Sequence, residues 1–374
     1  MIAWKIKSLS YRPIGLDIGH SSIKMIQLAV NGDGVSVVAA DKVHIDSSIS
    51  SDAEERRGLV ISAIKQMLAN GNFRGKSVVS CLPTEKVRIT SLRLGNTETE
   101  EIEQVLGKEV AERFGLDPDK DAIGYLPVGS VQEGDETKNE LILFAADNET
   151  IKSHIEMLEE ARLRPVAIDT VPCALFRSFD RSLRRQEDKE RTAVFMDVGS
   201  RFTTVVFGRG GEISFVKQIA IGGGTFNREI AKKLGIGVEE AEILRRRLQT
   251  EQTPLAAQGD SVGQELDASA RQVVAGAVGA VAEELAREIS LCFRYYTVTF
   301  RGKRVERAVL AGGAAYEDIL VDVLRRQLSV EIEAAQPLRG FDITNMNFDS
   351  DKRGFFSEWS IAVGLSLKGF DGRT

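Results

Sequence analysis

Two short motifs with one shared pattern constrain the fold of this chain more than any other feature. In each motif an apolar strand reaches an aspartate, a glycine follows two residues later, and hydroxyl side chains lead into a second β-rich run. The first motif is I-G-L-D-I-G-H-S-S-I-K-M, residues 14–25, and the second is F-M-D-V-G-S-R-F-T-T, residues 195–204. A glycine-bent turn of this kind directs backbone N–H groups to one point, which suits a phosphate group. Two such turns predict two similar halves that face each other.

The aspartate of each motif suits a magnesium ion. Hydrated Mg²⁺ prefers one or two carboxylates together with phosphate oxygens. Asp17 and Asp197 end the first strand of the two motifs, next to the proposed phosphate turns. We therefore expect both aspartates to hold Mg²⁺ through water.

A third glycine pattern follows the second motif and completes a series. V-L-A-G-G-A, residues 309–314, is an apolar strand that runs into two glycines and then a helix. In this context the backbone can approach a ligand closely. The order of the three motifs resembles the actin, DnaK and sugar-kinase superfamily. The resemblance implies an α/β, actin-like (ribonuclease H-like) fold with two lobes and a nucleotide between them.

Composition limits the alternatives. A chain of 374 residues exceeds the roughly 250–300 at which one core stops growing, so two or more subdomains are expected. A net charge of −6 argues against nucleic-acid binding, which uses clustered Lys and Arg on phosphates. Cys81, Cys173 and Cys292 lie in apolar runs and favour buried free thiols in a reducing cytosol. No stretch approaches the roughly 20 apolar residues that span a bilayer.

The segment between the two motifs has a pattern of its own. Strand-like runs on either side of Pro83, a helix after a Thr97–Glu100 capping box, and a further strand and helix indicate a small α+β unit over residues 76–163. A unit at this position resembles subdomain 1C, an SHS2 domain, of FtsA and of the PilM family. The ending A-V-G-L-S-L-K-G, residues 362–369, and the lack of an FtsA-like membrane-targeting tail resemble the PilM family more closely.

The resemblance to the PilM family also implies a division of the chain. An N-terminal leader is expected at the start, and two lobes of two subdomains each are expected after it. The implied boundaries are 1–13 for the leader, 14–75 and 164–190 for subdomain 1A, 76–163 for subdomain 1C, 191–224 and 303–374 for subdomain 2A, and 225–302 for subdomain 2B.

The same resemblance implies a set of residues that bind ATP with Mg²⁺. The residues expected on the phosphates are Asp17, Gly19, His20, Ser21, Ser22, Lys24, Asp197, Gly199, Arg201, Thr203 and Thr204. The residues expected on the nucleoside are Gly222, Gly223, Gly224, Glu242, Arg245, Gly312 and Gly313. His20 departs from the small residue usual at this turn, and either crowds the γ-phosphate or points outward. Arg245 replaces a lysine of the related families, and either stacks on the base or forms a surface ion pair with Glu242.

One residue is a candidate for catalysis. Asp169 ends the strand that follows the inserted unit, where a polar residue of the superfamily orients the attacking water. A bland alternative is that Asp169 caps the next helix. Because it is the sole candidate for positioning a water, the sequence predicts slow ATP hydrolysis or none.

The PilM resemblance finally implies a function. Such a protein is a cytoplasmic adaptor of the type IV pilus, or of a related secretion system, and lies at the inner membrane through its partners. It is expected to bind the N-terminal tail of a PilN-like membrane protein between the 76–163 unit and the first lobe, extending a sheet edge, with nucleotide state biasing the interaction. The alternatives are a filament-forming ATPase like FtsA or MreB, with self-association, and a small-molecule kinase of the superfamily.

Overall fold

The computed structural model describes residues 10–31, 34–45, 53–95, 99–133, 135–180, 191–251, 267–300, 304–344, 346 and 356–368. Three features expected from the sequence cannot be compared with the described residues. Most of the leader, the capping residue Thr97 and the terminal Gly369 lie outside the described residues. The described residues form two compact units, one within 1–190, 206–216 and 336–374, and one within 191–205 and 217–335.

Strands and helices alternate along most of the chain. The strands are β1 Ser10–Ile18, β2 Ser22–Asn31, β3 Gly34–His44, β4 Ser77–Cys81, β5 Arg88–Leu94, β6 Ala122–Glu133, β7 Glu136–Ala146, β8 Arg164–Asp169, β9 Thr192–Val198, β10 Thr203–Arg209, β11 Glu212–Ile219, β12 Val305–Gly312 and β13 Ile332–Ala334. The helices are α1 Ala53–Asn70, α2 Thr99–Phe114, α3 Asn148–Glu160, α4 Val171–Asp180, α5 Gly223–Leu234, α6 Val238–Glu251, α7 Ala268–Thr299, α8 Asp318–Leu328 and α9 Ser360–Ser366.

Two five-stranded sheets have the same strand order. The first sheet runs β3-β2-β1-β4-β8 and the second runs β11-β10-β9-β12-β13. In the first sheet β1 is antiparallel to β2 and parallel to β4, and β4 is parallel to β8. In the second sheet β12 is parallel to both β9 and β13. Each sheet thus has its first strand in the centre, and each central strand carries an aspartate one residue before its end.

The central strands are apolar because both faces of each sheet are covered. The core on one face of the first sheet includes Leu16 of β1, Ile64 of α1 and Leu158 of α3. In the second sheet, Val194 to Met196 of β9 are at most 1% exposed. Parallel strands with two covered faces have continuous apolar sequences rather than alternating ones. This explains the apolar run before each Asp-x-Gly motif.

The segment 76–163 contributes to two sheets. Its strand β4 lies inside the first sheet, and its helix α3 packs there through Leu158. The remaining strands form a three-stranded antiparallel sheet in the order β5-β7-β6. Helix α2 covers this small sheet through a core that includes Leu106, Val110 and Leu143. The separate small sheet therefore covers only the middle of the segment.

The described residues between 336 and 368 belong to the unit of the first sheet, whereas the predicted division places 303–374 in subdomain 2A. Trp359 and Val363, at and after the start of α9, are buried in one core with Ile26 and Leu28 of β2. The indole and the apolar face of α9 would otherwise be exposed to water, and their burial stabilises this placement.

Two glycines allow α9 to approach its neighbours closely. A Cβ atom at Gly15 of β1 would lie 2.0 Å from the carbonyl oxygen of Ala362. A Cβ atom at Gly364 of α9 would lie 1.8 Å from the carbonyl oxygen of Ala174 in α4. Both distances are far shorter than a van der Waals contact, so any larger residue would push α9 off the sheet. The glycine in the A-V-G-L-S ending is therefore required by packing.

The three cysteines are free thiols, as the sequence predicted. Cys81 and Cys292 are buried, and Cys173 is partly buried. Burial is the largest cause that raises the pKa of all three thiols, and it raises that of Cys292 to about 11. The thiols are therefore protonated and unreactive at neutral pH. Among the described helices, none is both long and apolar enough to span a bilayer.

Candidate functional site

The first Asp-x-Gly motif forms a tight turn between β1 and β2. The backbone N–H of Gly19 donates to the carbonyl oxygen of Ser22 at 3.0 Å and closes the turn. Asp17 lies just before the turn, and its Oδ2 is 3.5 Å from Nζ of Lys24 on the paired strand. Ser21 is partly exposed, whereas Ser22 is buried. The turn therefore brings together a carboxylate, an ammonium group and one partly exposed hydroxyl, although the ammonium is also mostly buried.

A side chain from α1 supports this turn. The guanidinium of Arg56 donates to the carbonyl oxygen of Gly19 at 2.8 Å and to that of His20 at 3.2 Å. In a planar trans peptide the C=O and the following N–H point in opposite directions. The N–H groups of His20 and Ser21 therefore point away from Arg56.

The imidazole of His20 faces a neighbouring carboxylate. Its Nε2 lies 3.0 Å from Oε1 of Glu85, in the single turn of 3₁₀-helix Thr84–Lys86 that precedes β5. This contact directs the ring toward the segment that leads into the small sheet. Contact between His20 and a phosphate stays a prediction.

The ends of three parallel strands meet beside the first turn. The register of β4 and β8 pairs Cys81 with Asp169, and β1, which carries Asp17, is the other neighbour of β4. The charges of Asp17 and Asp169 add to burial in raising the pKa of the Cys81 thiol. Ligands of open α/β sheets bind at this carboxyl edge. The first half of the candidate site therefore lies at the edge that the fold favours.

Asp169 is held by two cations. Its Oδ2 accepts from Nη1 of Arg177 at 2.8 Å and lies 3.2 Å from Nζ of Lys368, and its Oδ1 accepts from the N–H of Thr170 at 2.8 Å. Arg177 also donates to the carbonyl oxygen of Gly364 at 2.9 Å. Asp169 thus joins β8, α4 and the end of α9. Its predicted role in positioning water stays a prediction. The helix-capping alternative also stays a prediction, because these contacts are with Arg177, Lys368 and the adjacent Thr170 rather than with N–H groups inside α4.

The second Asp-x-Gly motif forms a turn with the same closure. The N–H of Gly199 donates to the carbonyl oxygen of Phe202 at 3.0 Å. The carbonyl oxygens of Gly199 and Ser200 accept from the N–H groups of Gly223 and Gly224, at 2.9 and 2.7 Å. By the same planarity argument, the N–H groups of Ser200 and Arg201 point away from α5. Arg201 itself is exposed.

The three glycines at the start of α5 lie against this turn. A Cβ atom at Gly222 would be 2.6 Å from the carbonyl oxygen of Gly199, so only glycine fits there without displacing the backbone. The first N–H groups of a helix have no partner within the helix. Here Gly223 and Gly224 give theirs to the turn. Their contact with a nucleoside stays a prediction, and their observed contacts are with the turn.

The hydroxyl residues after the second turn are buried. Thr203 and Thr204 are 0% and 2% exposed, and Thr203 Oγ1 donates to the carbonyl oxygen of Ile221 at 2.7 Å. This bond ties the start of β10 to the residue before the three glycines. The predicted contact of Thr203 and Thr204 with phosphate stays untested, and the bond gives Thr203 a part in holding the turn against α5.

The third glycine motif lies beside Asp197. β12 pairs with β9 so that Gly312 is opposite Val198. Gly312 has φ of +89°, and a Cβ atom there would lie 2.4 Å from the carbonyl oxygen of Val198 and 3.0 Å from Oδ1 of Asp197. Glycine is thus needed both for its backbone angle and for space. Gly313 follows and is exposed.

Arg245 lies in a buried network instead of on the surface. Its Nε and Nη2 donate to the two carboxylate oxygens of Glu317 at 2.8 and 2.7 Å, and its Nη1 donates to the carbonyl oxygen of Gly223 at 2.9 Å. Its guanidinium also lies 4.6 Å from the ring centroid of Phe226. Glu242, the alternative partner expected from the sequence, instead accepts from Nη2 of Arg246. The network joins α5, α6 and the segment after β12.

Sequence reasoning missed the residues that hold the two turns. Arg56 and Glu85 contact the first motif from elements far away in the sequence. Glu317 acts one step further away, because it binds Arg245, which donates to Gly223 at the start of α5. Neither the pattern of α1 nor that of α6 indicated which charged side chain turns inward. Among the described residues, no three His, Cys, Asp or Glu side chains are grouped closely enough to hold a metal ion by themselves. A hydrated Mg²⁺ needs only one or two carboxylates, so Asp17 and Asp197 fit its chemistry.

The comparisons with known proteins agree with this architecture. The family described as type IV pilus assembly protein PilM matches residues 15–253 and 276–370. The chain belongs to this family. A chain of a solved PilM-PilN type IV pilus biogenesis complex matches with a TM-score of 0.76 at 22% identity, covering 96% of this chain and 98% of that one. The ethanolamine utilization protein EutJ from Carboxydothermus hydrogenoformans matches with a TM-score of 0.54 at 13% identity, covering 96% and 90%. The predicted actin-like α/β fold and the PilM resemblance are both confirmed.

Proposed function

We propose that the chain is a nucleotide-binding adaptor of a type IV pilus or related assembly platform, and that it binds ATP with Mg²⁺. The observation that carries the proposal is the repeated turn. Gly19 and Gly199 close their turns with bonds of 3.0 Å each, at the ends of equivalent strands in two sheets of the same order. The chain belongs to the PilM family and has an actin-like fold, which supports the same proposal. The two turns would bind one triphosphate.

The phosphates would be bound mainly by backbone N–H groups. His20 and Ser21 in the first turn, and Ser200 and Arg201 in the second, direct consecutive N–H groups away from their supports. Successive N–H groups of this kind form a concave anion site. Lys24, which is within ion-pair distance of Asp17, adds a positive charge that can move toward a phosphate.

Mg²⁺ would be held by Asp17 and Asp197 through water. Magnesium neutralises phosphate charge when it is bound. Asp17 is partly buried beside Lys24, and Asp197 is partly buried beside Gly312. The nucleoside would lie near Gly312, Gly313 and Glu242. Arg245 would hold the start of α5 in place rather than touch the base, because its donors are already bound to Glu317 and Gly223.

Turnover would be slow or absent. A residue that positions the attacking water must have a carboxylate oxygen available to accept from it. Asp169 already accepts from Arg177 and Thr170, and Lys368 lies at ion-pair distance. This carboxylate is therefore ion-paired and held in place. A chain that binds ATP without rapid hydrolysis suits a switch rather than a kinase.

The partner would be the N-terminal tail of a PilN-like membrane protein. One solved structure with this fold is a PilM-PilN type IV pilus biogenesis complex. In the small sheet β7 is central, so β5 and β6 each have one edge that is unpaired within that sheet. Extended peptides bind such edges through backbone hydrogen bonds. Exposed Tyr125 on β6 offers an aromatic anchor. Location in the cytoplasm, peripheral to the inner membrane, would follow from this partner.

Nucleotide state would bias the partner interaction. His20 connects the first turn to Glu85, which lies just before β5 of the small sheet. A ligand shifts an equilibrium only by its difference in affinity for the two states. Phosphate binding at the first turn would move His20 and thereby the start of β5. The tail peptide should then bind with different affinity in the presence and absence of ATP.

Calorimetric titration with Mg-ATP tests the nucleotide site. We expect Asp17→Asn and Asp197→Asn each to weaken Mg-ATP binding by about 10- to 100-fold, the range for groups that act on a metal through an intermediate. Asp322→Asn is the matched control, because Asp322 is on the exposed surface. Equal affinity of all four proteins, or no binding by the wild type, would contradict the proposal.

A second titration tests the partner site. A synthetic PilN-like tail should bind the chain. Two versions of the peptide, N-methylated at the odd or at the even positions, each lose the N–H groups of one edge, and at least one of them should not bind if the tail pairs with a strand edge. Equal affinity of the unmodified tail and both N-methylated versions would exclude edge pairing. A tail affinity that is unchanged by ATP would exclude the nucleotide bias and leave the adaptor role.

A further inference from the structure

Both turns need hydrogen-bond donors for two of their carbonyl oxygens. In each turn, two consecutive carbonyl oxygens point to the side opposite the proposed phosphate. These are the carbonyls of Gly19 and His20 in the first turn, and those of Gly199 and Ser200 in the second. Buried or partly buried carbonyls are stable only with donors. Whatever supplies those donors fixes the direction of the N–H groups on the other side.

The second turn receives its donors from backbone. The N–H groups of Gly223 and Gly224 begin α5 and are fixed by the helix. The N-terminus of a helix also carries a partial positive charge of about +0.5. It therefore orients the turn and adds positive potential behind it.

The first turn receives its donors from one side chain. Arg56 is in the first turn of α1, and its Nη1 and Nη2 reach the carbonyl oxygens of His20 and Gly19 at 3.2 and 2.8 Å. A guanidinium is planar, always charged, and offers two parallel donors. It can therefore orient the first turn and add positive charge behind it, as the helix N-terminus does at the second turn.

We propose that Arg56 is a positioning residue for the nucleotide site, and that its guanidinium orients the N–H groups of His20 and Ser21 toward the phosphates. This inference rests on the proposed ATP site. Without Arg56 the two peptide units can rotate, and their N–H groups no longer converge. Lysine supplies the charge but only a single point of donation, so it replaces the function in part.

The neighbouring arginine provides a matched control. Arg57 has the same charge and lies on the same helix, but its Nη2 contacts Oε2 of Glu160 at 2.8 Å rather than the turn. A change at Arg57 removes one positive charge near the site without removing a donor from Gly19 or His20.

The test compares Mg-ATP affinity among the wild type, Arg56→Lys, Arg56→Ala and Arg57→Ala. We expect Arg56→Ala to bind at least tenfold more weakly, Arg56→Lys to be intermediate, and Arg57→Ala to stay within twofold of the wild type. Millimolar methylguanidinium should restore part of the affinity of Arg56→Ala, which a merely structural defect would not allow. Thermal unfolding identifies any variant that does not fold, and Arg56→Lys then carries the test.

The outcomes separate this inference from the proposed function. A wild type that does not bind Mg-ATP removes the proposed site itself. A wild type that binds, together with Arg56 variants of unchanged affinity, overturns the role of Arg56 alone. Equal weakening by Arg56→Ala and Arg57→Ala would show a general effect of charge and would also overturn it.

Discussion

The two Asp-x-Gly turns share a backbone and differ in what supports it. Both close with a glycine N–H donating at 3.0 Å to a carbonyl three residues later. The first is supported by the side chain of Arg56, and the second by the backbone at the start of α5. The comparison shows that one short motif can fix a turn locally, whereas its orientation depends on distant elements.

The two kinds of support differ in rigidity. Backbone N–H groups at the start of α5 move only with the helix, and that helix start is held by Arg245 and Glu317. An arginine side chain can change rotamer on a much shorter timescale. The first turn also contacts Glu85 through His20. We therefore expect the first turn to be the adjustable one and the second to be the fixed one.

The largest expected effect comes from removing the support of the fixed turn. Arg245→Met would leave the carboxylate of Glu317 buried without its bidentate partner, and such changes cost about 3–5 kcal/mol. Chemical denaturation measures the loss. Arg246→Met is the control, since its pair with Glu242 is exposed and should contribute under about 0.5 kcal/mol. Similar losses in both variants would contradict the buried network.

Acid should act on the first half of the chain. Burial lowers the pKa of His154, which contacts Ser80 of β4, to about 4. In the unfolded chain His154 takes up a proton near pH 6.5. The stability that the neutral, buried imidazole contributes is therefore complete above pH 6.5 and is lost as the pH falls toward 4. We expect a loss of about 2 kcal/mol between pH 7 and 5.

The control for the acid effect is a comparison of histidines. All three histidines, His20, His44 and His154, precede β9. Urea unfolding at both pH values should show a smaller loss for His154→Gln than for the wild type, and an unchanged loss for His44→Gln, since His44 is exposed. An equal loss in wild type and His154→Gln would assign the acid effect to other groups.

A methyl group should separate the fixed turn from α5. In Gly222→Ala the new Cβ would lie 2.6 Å from the carbonyl oxygen of Gly199, and overpacking of this kind costs about 1–3 kcal/mol. Both the free energy of unfolding and the Mg-ATP affinity of Gly222→Ala should be lower than those of the wild type. Gly237→Ala is the control, because a Cβ atom there meets nothing within 4 Å. A stable Gly222→Ala variant with full affinity would show that this turn does not need close support.

The smallest expected effect is at the residue where the two turns differ in sequence. His20→Ser gives the first turn the Gly-Ser pair of the second. Because the imidazole faces Glu85, we expect Mg-ATP affinity to change by less than about fivefold, which corresponds to the roughly 0.2–1 kcal/mol of partly exposed pairs. A gain of tenfold or more would mean that the imidazole crowds the phosphate.

Local parts of the site were predictable from the sequence. The apolar strand, the aspartate and the glycine of each motif form a turn through neighbouring residues, so their spacing predicts the turn. The actin-like fold followed from the order of three such motifs, and the PilM resemblance followed from the 76–163 unit and the ending at 362–369. Both are confirmed.

Long-range partners were not predictable in the same way. The three glycines at 222–224 indicated a helix start, but not that its N–H groups bind Gly199 and Ser200. The sequence predicts a ligand contact or a surface pair for Arg245, because spacing cannot reveal that Glu317 lies beside it. Glycine and arginine patterns indicate which hydrogen bonds are possible. The tertiary structure determines which partner lies close enough to form them.

The most direct measurement is a crystal structure of the chain with Mg²⁺ and a non-hydrolysable ATP analogue. We predict one nucleotide whose phosphate oxygens lie about 3 Å from the N–H nitrogens of His20 and Ser21 and from those of Ser200 and Arg201. We also predict Mg²⁺ within water-mediated reach of Asp17 and Asp197. A nucleotide bound to one turn alone, or bound away from both, would contradict the proposal that the two turns bind one triphosphate.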